Sequence, residues 1–537
     1  MKINARVALV IPALVIPALV IPMAVALLAA SAPDGKRWWS YVEALANDQM
    51  KGRDTGSPEH LKAAQYVAAH FEQDGLHPAG TQGFLQPVKF NTWKIVESGC
   101  SIELIRGGKA EPLALGEDAF FNRGVMPAGS IEAPLVFAGY GLTVPEMKYD
   151  DFSGLDVRGK IIVIIGGGPS NIPGPLKAHY QNALERRKFL QRAGVIGTVT
   201  IQNPSNADIP WSRSALARFQ PAMELADASL AAPDGLKITI TVNPAHAGKW
   251  LQGSGHTLDE LLALADAGKP LPHFPLVPSL RAKAKVEKRE LESQNVAAVW
   301  PGADPTLKSE YVVLSAHVDH VGVGEPINGD SIYNGAMDNA AGVATLLDIA
   351  QTLHDQKIQT KRSLLFVVVT GEEKGLLGSR YFAAHPTVPA KSMVADLNTD
   401  MFLPLYPFHL ATVYGLHESD LGDTVRKVAQ SLDVEVQDDP APQRNVFIRS
   451  DQYSFIKAGV PSLMMDVGYK KGSKEEAVEK EWLKNRYHAP SDDLSQPVDL
   501  QAAGQYNRLI LTLAEAVAND PARPQWKPDS FFRRFAE

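Results

Sequence analysis

The sequence predicts an α/β fold, a mainly parallel mixed sheet sandwiched by helices, with an inserted β-rich domain. Three observations predict it. After about residue 293 apolar strands alternate with helical segments, the pattern of a sheet covered on both faces. Between about 95 and 290 the texture changes to short strands and many turns, with few long helices. At 537 residues the chain is also longer than one ordinary core serves, so two domains are expected.

The elements follow in order. Lys2 and Arg6 precede an apolar run from Val7 to Ala30 that ends in the small residues Ala29-Ala30-Ser31-Ala32. That order describes a secretory signal. The run is long enough to span a membrane, so a retained anchor is the other reading. Pro12, Pro17 and Pro22 would disturb a stable spanning helix. Residues 1–32 are therefore read as a signal peptide, and the mature protein as exported, periplasmic or extracellular.

From about 37 to 80 the apolar spacing is helical, clearest from Leu61 to Phe71, and Gly75 and Pro78 stop it. Residues 33–94 thus open the larger domain, 95–290 form the insertion, and 291–537 complete the larger domain. Within the insertion Leu135 to Gly141 and Gly159 to Ile165 read as strands, Tyr180 to Ala193 as a helix, and Val195 to Ile201 as a strand. Beyond it, strands are expected at Tyr311–Ala316, Ser363–Thr370, Val394–Leu397 and Pro461–Val467. Helices are expected at Ala340–His354, Gly378–Ala384, Leu421–Leu432, Asp451–Ala458 and Leu500–Ala518.

The net charge of −7 and the lack of a basic cluster argue against nucleic acid as a partner. Cys100 is the single cysteine, so no intramolecular disulfide can form. Membrane contact is expected only if the leader is retained, and the sequence carries no signature of oligomeric state.

Chemistry-bearing residues follow the strands: His317 and Asp319, Asp338, Glu372 and Glu373, Asp400, and His488. In α/β proteins the loops after the strands build the site. His317 and Asp319, two apart in extended chain, can lean the same way. The histidine can hold a metal through one ring nitrogen while Asp319 accepts from the other. His320, one position further, reads as a loop histidine pointing away. Asp338 precedes a helix, where it serves either as an N-cap or as a carboxylate bridging two metals. Glu372-Glu373 follows a buried strand, where two adjacent carboxylates are costly unless cations compensate. One can meet a metal while the other takes a proton from water. Asp400 and His488 each pass alone for loop residues, and only the ordered set makes them ligands. Such a set suits two divalent metals.

Other candidates fare worse. Gly166-Gly167-Gly168 lacks the Gly-Lys-Ser/Thr ending of a phosphate loop, and the charged stretch Lys470 to Arg486 reads as a solvated helix or loop with at most a minor role at the site's entrance.

The segments Ser315–Asp319, Asp338–Gly342, Gly371–Ser379, Asn398–Met401 and Tyr487–Asp492, with Arg53–Pro58, resemble the co-catalytic zinc exopeptidases of the aminopeptidase Y and bacterial leucyl aminopeptidase type. That superfamily includes the transferrin-receptor-like ectodomains. The resemblance covers about 37–90 and 293–515, and residues 95–290 resemble a protease-associated domain through Val136–Gly141, Tyr149–Phe152 and Gly159-Lys160. It implies a zinc-exopeptidase fold of the phosphorylase/hydrolase-like kind and a cofactor of two Zn2+ per chain. It makes Asp338 the bridging ligand, places His317 with Asp400 on one zinc and Glu373 with His488 on the other, and makes Glu372 the general base and Asp319 the orienter of His317. Asp451-Gln452 departs from an Asp-His that the family often has, which touches only a substrate-side contact. The implied activity is removal of N-terminal residues from peptides. The alternatives are a carboxypeptidase acting on acidic dipeptides or peptides, a single-zinc glutaminyl cyclase, and a non-catalytic receptor-like ectodomain.

Overall fold

The computed structural model describes residues 34–537, so the expected signal peptide lies outside the described residues. Among the described residues no helix is long and apolar enough to cross a membrane.

The main sheet has ten strands. Nine form one path: β1 Leu85–Ile95, β2 Ala222–Leu225, β3 Val286–Trp300, β4 Tyr311–His317, β5 Ser363–Val369, β6 Met393–Asn398, β7 Leu410–Tyr414, β8 Glu435–Gln437 and β9 Ser462–Val467. Their spatial order is β2-β1-β3-β5-β4-β6-β9-β7-β8, and His77–Pro78 pairs beside β3. The joins from β5 through β4 and β6 to β9 are parallel. Antiparallel pairs flank this centre on both sides. The composition explains the division. Every residue of β5 is buried, as a strand covered on both faces must be, whereas β1 alternates between buried and more open positions.

Helices α1 Gly35–Ala46, α2 Pro58–Gln73, α3 Ala341–Gln356, α4 Leu377–Ala384 and α5 Leu500–Asn519 cover the sheet. Trp38, Val42 and Leu45 of α1 join Leu346, Leu347 and Ile349 of α3 and Leu509, Ile510 and Leu513 of α5 in the largest core. The single helical stretch expected over 37–80 is in fact two helices. The chain turns between them at Lys51, Gly52 and Arg53, all with positive φ. Ser57 caps α2 by accepting the His60 N–H, and Gly75 (φ 79°) ends it.

Residues 101–283 build a separate eight-stranded sheet with its own core around Phe137, Val163, Val199, Ile240 and Trp250. Thr143–Val144 and Tyr149–Asp150 pair with each other outside it, and one strand of this range joins the main sheet. β2 pairs antiparallel with β1 at the edge of the main sheet. The ladder between β1 and β3 also runs unbroken from Leu85↔Val296 to Ile95↔Val286. The junction with the insertion therefore lies at the far end of a continuous ribbon that starts before residue 291. Asp208 of the insertion bonds Arg444 and Arg449, each at 3.0 Å. Phe531 and Phe535 near the C-terminus pack on His179 of the insertion.

Candidate metal centre

The central parallel strands end at one rim. β4 ends in His317 and continues into Val318-Asp319-His320, β5 is followed by Gly371-Glu372-Glu373, and β6 by Thr399-Asp400. The turn before α3 brings Asp338, and the turn after the helix Lys474–Asn485 brings His488.

His317 Nε2 lies 3.2 Å from Asp400 Oδ1 and 3.4 Å from Asp338 Oδ1. The other oxygen of Asp338, Oδ2, lies 3.2 Å from His488 Nε2, which is itself 3.2 Å from Glu373 Oε2. Each oxygen of Asp338 therefore faces a different pair of donors. Nitrogen and oxygen ligands bind zinc tetrahedrally at about 2.0–2.1 Å, which sets the ligand–ligand edge at roughly 3.3 Å. The four histidine–carboxylate distances match that edge. Burial alone would lower the His488 pKa, but Glu373 and Asp338 outweigh it and hold the imidazole up at about 10. A cation is what this arrangement of acceptors calls for.

The turn that carries Asp338 excludes the N-cap reading. Asn339 Oδ1 accepts the Gly342 N–H at 2.9 Å, so the neighbour does the capping. The Asp338 carboxylate stays free for the centre. The carboxylate of Asp492 fixes this turn from below, accepting the N–H groups of Met337 (2.9 Å) and Asp338 (3.0 Å). Sequence reasoning quoted Asp492 only as part of a segment and gave it no role.

Two expectations need correction. His317 Nδ1 donates to the main-chain carbonyl of Asp319 at 3.1 Å, while the nearest carboxylate oxygen is 3.9 Å away. The Asp319 carboxylate accepts instead from Thr55 Oγ1 (2.9 Å) and from the Glu372 N–H (3.1 Å). It orients Glu372 and its strand end, not the imidazole. His320 does not point away. It is fully buried, with Nδ1 2.8 Å from Glu373 Oε1 and 3.8 Å from Asp338 Oδ2. Both ring nitrogens and Glu373 Oε1 lack an aligned hydrogen bond. The group His320, Asp338 and Glu373 is thus also spaced to hold a cation. The strand alternation that predicted otherwise stops at His317, and beyond it His320 is held by a bridge to Asp54.

Glu372 lines the pocket beside these donors. Burial, with Asp400 and Glu373 nearby, holds its carboxyl well above the usual range, although His317 opposes the shift. The pocket walls include Met401, Tyr414, Met464 and Tyr487, with Asp466 and Glu479 deeper. Glu479 and Leu483 belong to the helix Lys474–Asn485, so the stretch expected to be solvated is partly a wall of the site. Gln452 is buried away from it, accepting from Asn398 Nδ2 at 2.8 Å and donating to the carbonyls of Val446 and Phe447. The departure from Asp-His falls on a brace of the fold.

Residues 295–514 match the model of peptidase family M28. Over those residues the chain is similar to that family. A probable leucine aminopeptidase of Arthroderma benhamiae is 35% identical over 125 residues, covering 22% of this chain and 33% of that protein. The chain thus spans about a third of the length of the curated relatives it matches first. Solved structures share the fold over nearly the whole chain. An aminopeptidase from Aneurinibacillus sp. strain AM-1 aligns with a TM-score of 0.55 at 20% identity, covering 93% of this chain and 97% of that one. The zinc aminopeptidase BSAP of Bacillus subtilis aligns with a TM-score of 0.50 at 17% identity, covering 92% and 97%. All seven residues singled out for chemistry fall inside the matched residues.

Proposed function

We propose that this protein is an exported zinc aminopeptidase that holds two Zn2+ and removes N-terminal residues from peptides. The observation that carries this reading is the pair of donor triads sharing Asp338, in each of which the histidine lies 3.2–3.4 Å from both carboxylates. His317, Asp338 and Asp400 would hold one ion, and Asp338, Glu373 and His488 the other, with His320 beside the second. Bound there, the metals supply Lewis acidity that activates water and polarises a carbonyl.

The chain's own residues do the rest. Glu372 takes a proton from the attacking water as its oxygen bonds to the scissile carbonyl carbon. It returns that proton to the nitrogen as the C–N bond breaks. Its raised pKa matches a group that must hold a proton between those two steps. Asp319 keeps Glu372 in place through the main-chain N–H. The resemblance of 95–290 to a protease-associated domain and the leader at 1–32 support an exported enzyme with a covered site.

The test combines Glu372→Gln with a substrate panel. The variant should lose turnover while zinc content stays near two per chain. On the unchanged protein, peptides with a free amine should be cut and their N-acetylated counterparts spared, and a chelator should stop the reaction. Equal cleavage of blocked and free peptides would replace this reading with a carboxypeptidase.

A further inference from the structure

Glu372 lines two spaces. One is the pocket of Tyr414 and Met464. The other is a cleft between the larger domain and the insertion, formed by adjoining cavities of ≈ 790 and ≈ 630 Å3 that share Glu373, Gly375 and Arg380. A peptide with its scissile bond at Glu372 and its first side chain in the pocket must run its leaving residue into this cleft.

Five guanidinium groups line the cleft: Arg444 and Arg449, both paired with Asp208, and Arg123 and Arg187 from the insertion with Arg380 from α4. Among the described residues none of the last three forms an ion pair. Arg187 is tied to the carbonyl of Gly124, the residue next to Arg123, and Arg380 donates to the carbonyl of Leu230 at 2.9 Å. Arg123 senses Glu373 and Asp54. Both carboxylates are already claimed, Glu373 by the centre and Asp54 by Lys374 at 2.7 Å. Of the other acids on the wall, Glu224 is exposed and lies within reach of Arg187, Glu185 is taken by Lys188 and Lys457, and Glu372 belongs to the centre. Arg187 also repels Arg380, and burial lowers the pKa of all three groups. Half-buried cations, two of them held by main-chain carbonyls and close enough to repel, have unmet capacity for a carboxylate, which a guanidinium grips through two parallel hydrogen bonds.

We infer that Arg123, Arg187 and Arg380 bind the free C-terminal carboxylate of a short peptide, so that the enzyme acts on peptides of two to a few residues. This rests on the aminopeptidase reading and adds its substrate class. The insertion supplies two of the three arginines and becomes part of the substrate site.

The experiment uses the zinc-loaded full chain on matched di- and tripeptides, as free acids and as C-terminal carboxamides. The free acids should show kcat/KM about ten- to a hundredfold higher, mainly through KM, the range expected for charge-assisted bonds in a partly dry cleft. The gap should close in Arg187→Met and Arg380→Met and persist in part in Arg380→Lys. The acid–amide comparison on the unchanged protein needs no variant to fold. Equal rates on acid and amide overturn the inference and leave the aminopeptidase reading standing. An amide with glutamate as its second residue that matches the free acid also overturns it, reassigning the arginines to an acidic side chain. Failure to cut any free-amine peptide overturns both.

Discussion

Replacing Arg53 with glutamine should loosen the metal centre without touching a ligand. Arg53 is fully buried, and its guanidinium donates to four main-chain carbonyls: Val318 (2.9 Å), Leu45 (2.6 Å), Asn334 (2.7 Å) and Gly335 (2.8 Å). Val318 separates His317 from Asp319, and Gly335 stands three residues before Asp338. One side chain thus bolts α1 to two of the loops that present candidate ligands. A glutamine amide has two N–H donors, so at least two carbonyls lose their partner inside the core. At about 1–3 kcal/mol for each stranded group, the cost is roughly 2–6 kcal/mol, a large share of the 5–15 kcal/mol that ordinarily holds a domain together. Urea titration of metal-depleted protein reads it as a lower midpoint at unchanged slope. Zinc affinity, measured by chelator competition, should fall alongside. A loss below about 1 kcal/mol in the metal-free protein would refute the bolt, because desolvated carbonyls cannot lose their donors so cheaply.

Asp492→Asn should weaken zinc binding roughly ten- to a hundredfold, the usual effect of disturbing a group that orients a ligand. The asparagine nitrogen would face one of the two N–H groups that the carboxylate now accepts. Chelator competition giving an unchanged affinity would remove Asp492 from the centre. Glu479 answers to pH. Burial outweighs the pull of Arg444 and the Tyr406 hydroxyl, with Asp439 and Glu476 adding to it, and pushes its carboxyl up from 4.5 to about 7. Between those values the unfolded chain has released the proton and the folded one keeps it, so stability falls as pH rises through the window and levels above it. The slope is worth at most about 3 kcal/mol at roughly 1.4 kcal/mol per unit. Glu479→Gln should flatten urea stability between pH 5 and 8, and a slope equal to that of the unchanged protein would show that Glu479 does not set it.

Much of this fold is legible because its signals are local. Buried runs such as Leu364–Val369 and the stops at Gly75 and Pro78 place strands and helices to within a residue or two. The candidate series is legible because His317, Glu372, Glu373 and Asp400 each stand at or just after the end of a strand. What escaped depends on partners distant in sequence. Only the docking of Arg53 against Val318 and Gly335 explains why 37–80 breaks into two helices. Asn339 and Asp338 are both plausible caps, and the choice is made by Asp492 more than 150 residues away. The role given to the Asp319 carboxylate failed because its partner, the Glu372 N–H, comes from another strand. The alternation rule put His320 outside because it assumes extended chain, and the chain stops being extended at His317. The cleft arginines carry no motif at all, since they gather from 123, 187 and 380 only when the insertion folds back.

Strand β2 makes the insertion an unusual appendage. Through the register Ala222↔Trp93 to Leu225↔Phe90 it lends the main sheet its border strand. Cutting the insertion away would strip that border and bare the hydrogen-bonding groups of β1 along the same stretch. A naked border of this kind recruits other chains. The two halves of the molecule are therefore not a catalytic body with a detachable cover. Nor is the gap between them free to widen like a jaw, because a woven hem fixes it along one side. Ala222 to Leu225, which line the cleft, are thus held by the same sheet that carries the site.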